Sequence, residues 1–296
     1  MTGEGRLRWT HGETWYRIVG DLDPAGLRTP IVVLHGGPGA THDYCEPIAD
    51  LARDGRACIL YDQIGNGRSD HLAGAPASFW TPEVFKDELA ALVAHLGIAA
   101  RYAVVGQSWG GMLAMDHALD HPPGLRGMAV CDSPASMRLW VEEADRLRRD
   151  LPAEVEATLR RHEDAGTTTS AEYLAAVEVF YERHVCRVAR PDCVQRSFAA
   201  IEAAPTVYHT MNGPSEFHVV GSLRDWDITD RLDRIDVPTL LVSGRYDEAT
   251  PRIVGEIYAR IPGAQWQVFA RSSHLPHIEE HAAFIDRVAA FLGTLD

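Results

Sequence analysis

The sequence predicts an α/β fold: a mostly parallel sheet with helices on both faces and one helical insertion. Three observations carry that reading. Short β-rich apolar runs recur along the chain, helix-like segments lie between several of them, and the runs show no polar alternation. Strands of that kind are buried on both faces, which is the condition of a parallel sheet covered by helices. At 296 residues and 46% hydrophobic the chain can bury a full core, as one large α/β domain with an insertion.

Taken in order, the predicted strands are Ile31–Leu34, Ala57–Tyr61, Tyr102–Val105, Met128–Cys131, Thr239–Val242 and Trp266–Phe269, each a run of β-branched, aromatic or other apolar residues. Helical periodicity fills Pro82–Leu96, Trp109–His121 and Pro251–Ile261. The alternation stops between Ser133 and about Ser222. There the chain becomes helical and charged, with amphipathic patterns over Leu139–Asp150, Ala153–Asp164 and Ser170–Val185. A helical cap over 134–222 is therefore expected on a core built from 1–133 and 223–296. The formal charge of −14 disfavours sequence-independent nucleic-acid binding, which needs a basic face. Five cysteines in odd number, without C-x-x-C spacing, read as reduced structural thiols. No apolar run approaches 18 residues and the N-terminus lacks a signal core, so a cytoplasmic protein away from membranes is expected.

The chemistry gathers where the strands end. Gly106-Gln107-Ser108-Trp109-Gly110 has the form G-x-S-x-G between a strand and a helix. Such a turn forces the serine into a strained, exposed position, and the helix behind it aims N–H groups at any negative charge on a substrate. His35-Gly36-Gly37-Pro38-Gly39 follows the first strand, and the Gly37 N–H can pair with that of Trp109 as an oxyanion hole. Tyr61 to Ser69 reads as a bracing loop, with Asp62 and Arg68 as partners. An acid and a base are then needed. Asp247 leaves the Thr239–Val242 run, whereas Asp225, Asp227 and Asp230 precede it; His274 follows the last strand, with His277 as runner-up at a helix start. The order Ser108, Asp247, His274 is the serine–acid–histidine order of α/β-hydrolases.

At this point the chain resembles the proline iminopeptidase group of α/β-hydrolases, the S33 type, with the tricorn-interacting aminopeptidases and related amino-acid amidases. The resemblance rests on His35-Gly-Gly-Pro-Gly39 with His42-Asp43-Tyr44, on Asp62-Gln63-x-Gly65-x-Gly67-x-Ser69, and on Gly106-x-Ser108-Trp109-Gly110-Gly111. It continues through Met211-Asn212-Gly213-Pro214-x-Glu216-Phe217, Asp225-Trp226-Asp227 and Gly244-x-Tyr246-Asp247-Glu248-x-Thr250-Pro251. The chain departs from the group's pattern at Asn66, where cysteine is frequent, and at Gln107, where many members have glycine. The resemblance implies that Glu216 in the cap and Glu248 in the core hold the free α-amino group of the substrate. Tyr44, Tyr208, Phe217 and Trp226, together with Trp109, are candidate walls for the pocket of the first residue.

The expected activity is hydrolysis of the amide bond after an N-terminal amino acid through an acyl-enzyme, with a small peptide or aminoacyl amide as substrate. No metal or cofactor is expected: there is no HExxH, and the triad supplies the nucleophile. Three alternatives stand beside it. One is an amidase that takes an aminoacyl group off a non-peptide amine, another an esterase or lactonase, and the third a non-enzymatic ligand receptor on the same fold. The sequence leaves the oligomeric state open, with a monomer compatible.

Overall fold

The structure, a computed structural model, describes residues 2–23 and 26–296. Its eight strands are β1 (Thr2–Trp9), β2 (Gly12–Val19), β3 (Ile31–Leu34), β4 (Cys58–Tyr61), β5 (Tyr102–Gln107), β6 (Leu125–Cys131), β7 (Thr239–Gly244) and β8 (Gln265–Phe269). They form one sheet in the order β1-β2-β4-β3-β5-β6-β7-β8. β1 pairs with β2, and β2 with β4, in antiparallel fashion; every pairing from β4 to β8 is parallel. All six runs expected from the sequence are strands.

The period of two along each strand divides the apolar side chains between two cores. Val32 and Leu34 of β3, with Ile59, Val104, Val130 and Leu241, face one side. There they meet α1 (Pro82–His95), α2 (Trp109–Ala118) and the later α8 (Pro251–Tyr258). Ile31 and Val33, with Leu60, Ala103, Val105 and Val242, face the other. That side is covered by a 3-10 segment, His42–Asp54, and by α10 (His281–Leu292) near the C-terminus. Burial on both faces explains why these strands lack polar alternation.

Between β6 and β7 lie five helices: α3 (Met137–Arg148), α4 (Ala153–Ala165), α5 (Ala171–His184), α6 (Asp192–Ala203) and α7 (Thr206–Met211). Leu147, Leu159, Tyr173, Val177, Phe180 and Phe217 make a separate core among them. A core of its own for this segment is the basis on which we propose a cap of residues 134–222 on a core of 1–133 and 223–296. The short α9 (Pro276–Glu279) precedes α10.

The sequence reading missed the β1–β2 hairpin, α6 and α7. The hairpin strands interleave Gly, Glu and Arg with few apolar residues, and of the described residues only Leu7, Thr14 and Trp15 are buried. Helix α6 buries Val194 and Ser197 and half-buries Phe198 and Ile201, and the polar Ser197 interrupts its apolar stripe. The predicted Trp109–His121 helix ends at Ala118, and β5 runs two residues further than the apolar run, to Gln107.

The turn from β5 into α2 is so tight that a Cβ on Gly110 would lie 2.0 Å from the Leu34 carbonyl oxygen, backbone that cannot step aside. Gly110→Ala should therefore cost at least about 1–3 kcal/mol, the usual range for overpacking. Urea unfolding measures it, and a variant as stable as the parent would contradict this packing.

Candidate active site

Three neighbouring strands end side by side. Gln107 of β5 is in register with Cys131 of β6, and Cys131 with Val242 of β7. Residues just past these ends are thereby brought together above the C-terminal edge of the sheet, where open α/β sheets bind ligands. Ser108 follows β5 with φ 56° and ψ −122°, a backbone conformation that L residues rarely hold. The turn is tied down by backbone: the Ser108 N–H donates to the Cys131 carbonyl at 2.9 Å, and the Ser108 carbonyl accepts from the Ser133 hydroxyl at 2.8 Å.

Asp247 and His274 meet as a pair. The His274 imidazole Nδ1 lies 2.7 Å from Asp247 Oδ1, and the same oxygen accepts the Ala249 N–H at 2.8 Å. Both side chains are buried. Burial alone would lower the pKa of His274, but the Asp247 carboxylate beside it raises it above the ordinary histidine value. His277 lies elsewhere: its Nε2 contacts the Tyr44 carbonyl at 3.0 Å, and burial pushes its pKa down to about 3, leaving a neutral structural imidazole.

Two cavities meet at Ser108. One, of about 450 Å³ with its mouth, is lined by Ser108 and His274, by Glu216 and Glu248, and by apolar side chains including Phe198 and Ile201 of α6. The other, of about 270 Å³ with its mouth, is lined by Ser108, Trp109, Met112, Met137, Trp140 and Leu223 among others. Gly37 and Glu216 belong to both. Gly37 holds φ 114° next to a cis peptide bond to Pro38, and its loop is crowded enough that a Cβ there would lie 2.5 Å from the Gly39 nitrogen. No hydrogen bond among the described residues occupies the N–H of Gly37 or Trp109.

The two glutamates differ in a telling way. Glu216 Oε1 accepts the Tyr208 hydroxyl at 2.7 Å, and its carbonyl accepts the Trp140 indole N–H at 2.7 Å. Glu248 is buried, and neither of its carboxyl oxygens finds a donor among the described residues. Its Oε1 stands 3.8 Å from His274 Nε2. Burial, then the charges of Glu216 and Asp247, raise its pKa well above the carboxylate range. Burial raises Glu216 as well, against the Tyr208 hydrogen bond. No Lys or Arg lines either cavity.

Of the aromatic candidates, Tyr44 and Trp109 line these cavities. The Tyr44 hydroxyl accepts the Gly36 N–H at 2.6 Å and donates to Gln107, whose amide N–H reaches the His274 carbonyl at 2.8 Å. Gln107 is thus a strut between the glycine loop and His274. Tyr208 is no wall of either cavity but the donor that holds Glu216. Phe217, next to Glu216 in a tight turn closed by a Ser215–His218 bridge, packs into the cap core under the Arg148 guanidinium. Trp226 packs on the sheet core outside both cavities. The sequence reading did not single out Trp140, whose ring meets that of His274 edge to face at 6.1 Å, or Phe198 and Ile201. All three sit on cap helices without motif residues.

Asp62 does brace its loop, though its partners are the His42 ring and backbone, both at 2.8 Å, and the Arg68 N–H at 2.9 Å. The Arg68 guanidinium turns away to Glu4. His42, Asp43 and Glu46 are close enough together to hold a metal ion. Yet Asp43 and Glu46 are paired with Arg196, and His42 with Asp62, so the cluster is already neutralised from within. No helix among the described residues is long and apolar enough to cross a membrane.

Comparison with known proteins agrees with the fold. The model of the alpha/beta hydrolase fold family matches residues 29–281. A proline iminopeptidase of Lactobacillus acidophilus is 36% identical over 297 residues, covering 99% of both chains. One from Saccharolobus solfataricus is 37% identical over 268 residues, covering 90% of this chain and 86% of its own. The crystal structure of VinJ superposes with a TM-score of 0.97 at 46% identity over 99% of each chain. That of the Mycobacterium smegmatis proline iminopeptidase gives 0.91 at 48% identity, over 99% of this chain and 98% of its own.

If Asp247 holds the His274 base, Asp247→Asn should lower kcat by about 10³–10⁴-fold, since the amide favours the wrong tautomer. A base works only when neutral, so activity should fall below the raised His274 pKa, and the acid limb of kcat/KM should lie above the free-imidazole value of about 6.5. The stabilisation from the Asp247 pair runs the other way: it is present below the unfolded pKa and lost as pH rises through the folded one. A kcat/KM profile measures the limb, and a limb below the free value would contradict the pairing.

Proposed function

We infer that this chain, which belongs to the proline iminopeptidase family of the alpha/beta hydrolase fold, is a serine hydrolase that cleaves the amide bond after an N-terminal amino acid. The observation that carries the exopeptidase reading is the Glu248 carboxyl, buried without a donor beside Glu216 and within reach of the nucleophile's cavity. A buried carboxyl with no partner is costly, and an ammonium group supplies what it lacks. An α-amino group held between Glu216 and Glu248 places its own carbonyl carbon, two bonds away, at Ser108.

In this mechanism Ser108 Oγ attacks that carbonyl while His274 Nε2 takes its proton. Ser108 and His274 line the same cavity, and the Oγ to Nε2 hydrogen bond is the contact this step requires. The oxyanion turns toward the N–H groups of Gly37 and Trp109, each donor of this kind contributing about 3 kcal/mol in the transition state. His274 then protonates the leaving amine, and water repeats the sequence on the acyl-enzyme. Asp247 stays ionised and fixes the imidazole tautomer. The apolar walls from Tyr44, Val185, Phe198, Ile201 and Leu275 suit a small or cyclic aliphatic first residue.

An esterase reading is separated by substrates without an amine. Glu216→Gln and Glu248→Gln should lower kcat/KM for aminoacyl-β-naphthylamides by about 30-fold or more, the equivalent of removing a buried charge partner. Hydrolysis of a p-nitrophenyl ester should be spared. Equal loss on both substrates, or none on either, would sink the anchor.

The same residue makes a stability prediction. Because the folded-state pKa of Glu248 is raised, its favourable contribution exists below the unfolded value, about 4.3, and is lost as pH rises. Urea titrations should show the stability of Glu248→Gln relative to the parent improving from pH about 4 to pH about 8. A flat or falling difference would mean that the carboxyl is satisfied after all.

A further inference from the structure

A second buried carboxyl, outside the triad, faces the acid. Asp132 follows β6 directly, is fully buried and holds a left-handed φ of 55°. Its N–H donates to the Val242 carbonyl at 2.8 Å, which seats it beside the end of β7. Oδ1 of Asp132 accepts the Gly244 N–H at 3.2 Å, while its Oδ2 has no donor among the described residues. Asp247 is the mirror case. Both of its donors, His274 Nδ1 and the Ala249 N–H, go to Oδ1, and its Oδ2 is buried without one. The two side chains are within hydrogen-bond reach of each other.

Two ionised carboxylates do not share such a contact, because like charges at hydrogen-bond distance in a buried site keep one of them protonated. We propose that Asp132 is held as a neutral carboxylic acid whose O–H donates to Oδ2 of Asp247, which makes it a positioning residue for the triad. The proton satisfies the two oxygens left bare by the rest of the fold and adds no second charge beside the base. It also fixes the plane of the Asp247 carboxylate, so that Oδ1 stays on His274. The proton does not move during turnover, so the reaction's balance is unaltered.

The surroundings agree. Burial first, and then the charge of Asp247, push the Asp132 carboxyl well above its usual value, and Glu279 adds to the push. The acids that act on Asp132 are Asp247 and Glu279, while Asp247 itself acts on His274, Glu248 and His184.

The inference rests on Asp247 and His274 being the acid and base, and two readouts keep the two claims apart. The first is the kcat/KM profile of Asp132→Asn, whose amide N–H can replace the acid's O–H. It should stay within about threefold of the parent near neutral pH with an unmoved acid limb, as expected when the replaced group was uncharged. Asp132→Leu, which has no donor, should lose about tenfold or more in kcat with KM little changed. The second needs no activity: an infrared difference spectrum of parent minus Asp132→Asn at neutral pH should show the carbonyl stretch of a protonated carboxylic acid. If removing Asp132 shifts the acid limb down by about one pH unit, a negative charge near His274 has been lost and the proposal fails. It fails equally if the infrared band is absent, whether or not the triad reading survives.

Discussion

The site depends on one electrostatic constraint: Glu216 and Glu248 line the cavity with His274, Asp247 pairs with that imidazole, Asp132 is buried against Asp247, and no Lys or Arg lines the cavities. A dry pocket cannot hold four negative charges against one positive one. Something must be neutral, and something positive must arrive. On our reading Asp247 keeps its charge through His274, Asp132 keeps its proton, and Glu248 waits for an ammonium group. The excess acidity is then the recognition device of the pocket.

The fold supplies this arrangement cheaply. Strands β5, β6 and β7 are neighbours, so Ser108, Asp132 and Asp247 leave one sheet edge in adjacent places. The loop after β6 ties both ends of the machinery, with Ser133 on the Ser108 carbonyl and Asp132 beside Asp247. Only Glu216 has to come from outside the sheet. It is delivered by a tight turn of the cap, with Tyr208 of α7 and Trp140 of α3 holding it in place. On this reading, a cap that shifted would take Glu216 with it while leaving Ser108, Asp247 and His274 in place, so the proposed amine recognition and bond cleavage would be separable.

Much of this was legible in the sequence, for a physical reason. Parallel strands buried on both faces leave unbroken apolar runs, and candidate residues follow their ends, which is why Ser108, Asp247 and His274, which the structure brings to one site, could be nominated from position. Directions of side chains were not legible. Phe217 sits beside Glu216 in the chain yet packs into the cap core, and Tyr208 contributes its hydroxyl instead of its ring face. Trp140 and Phe198 reach the cavities from helices whose pattern shows only amphipathicity. Asp132 follows an apolar run as Asp247 does, yet the sequence reading did not single it out. Its role shows only when the bare oxygens of both side chains are counted.

The central claim is that the unpartnered Glu248 carboxyl is the seat of the substrate's ammonium group. A crystal structure of Ser108→Ala with a bound aminoacyl amide tests it most directly. The account predicts the α-nitrogen within hydrogen-bond distance of both Glu248 and Glu216, with the scissile carbonyl at residue 108 and its oxygen facing the Gly37 and Trp109 N–H groups. An amine directed to solvent, or into the apolar cavity beside Trp140, would contradict it.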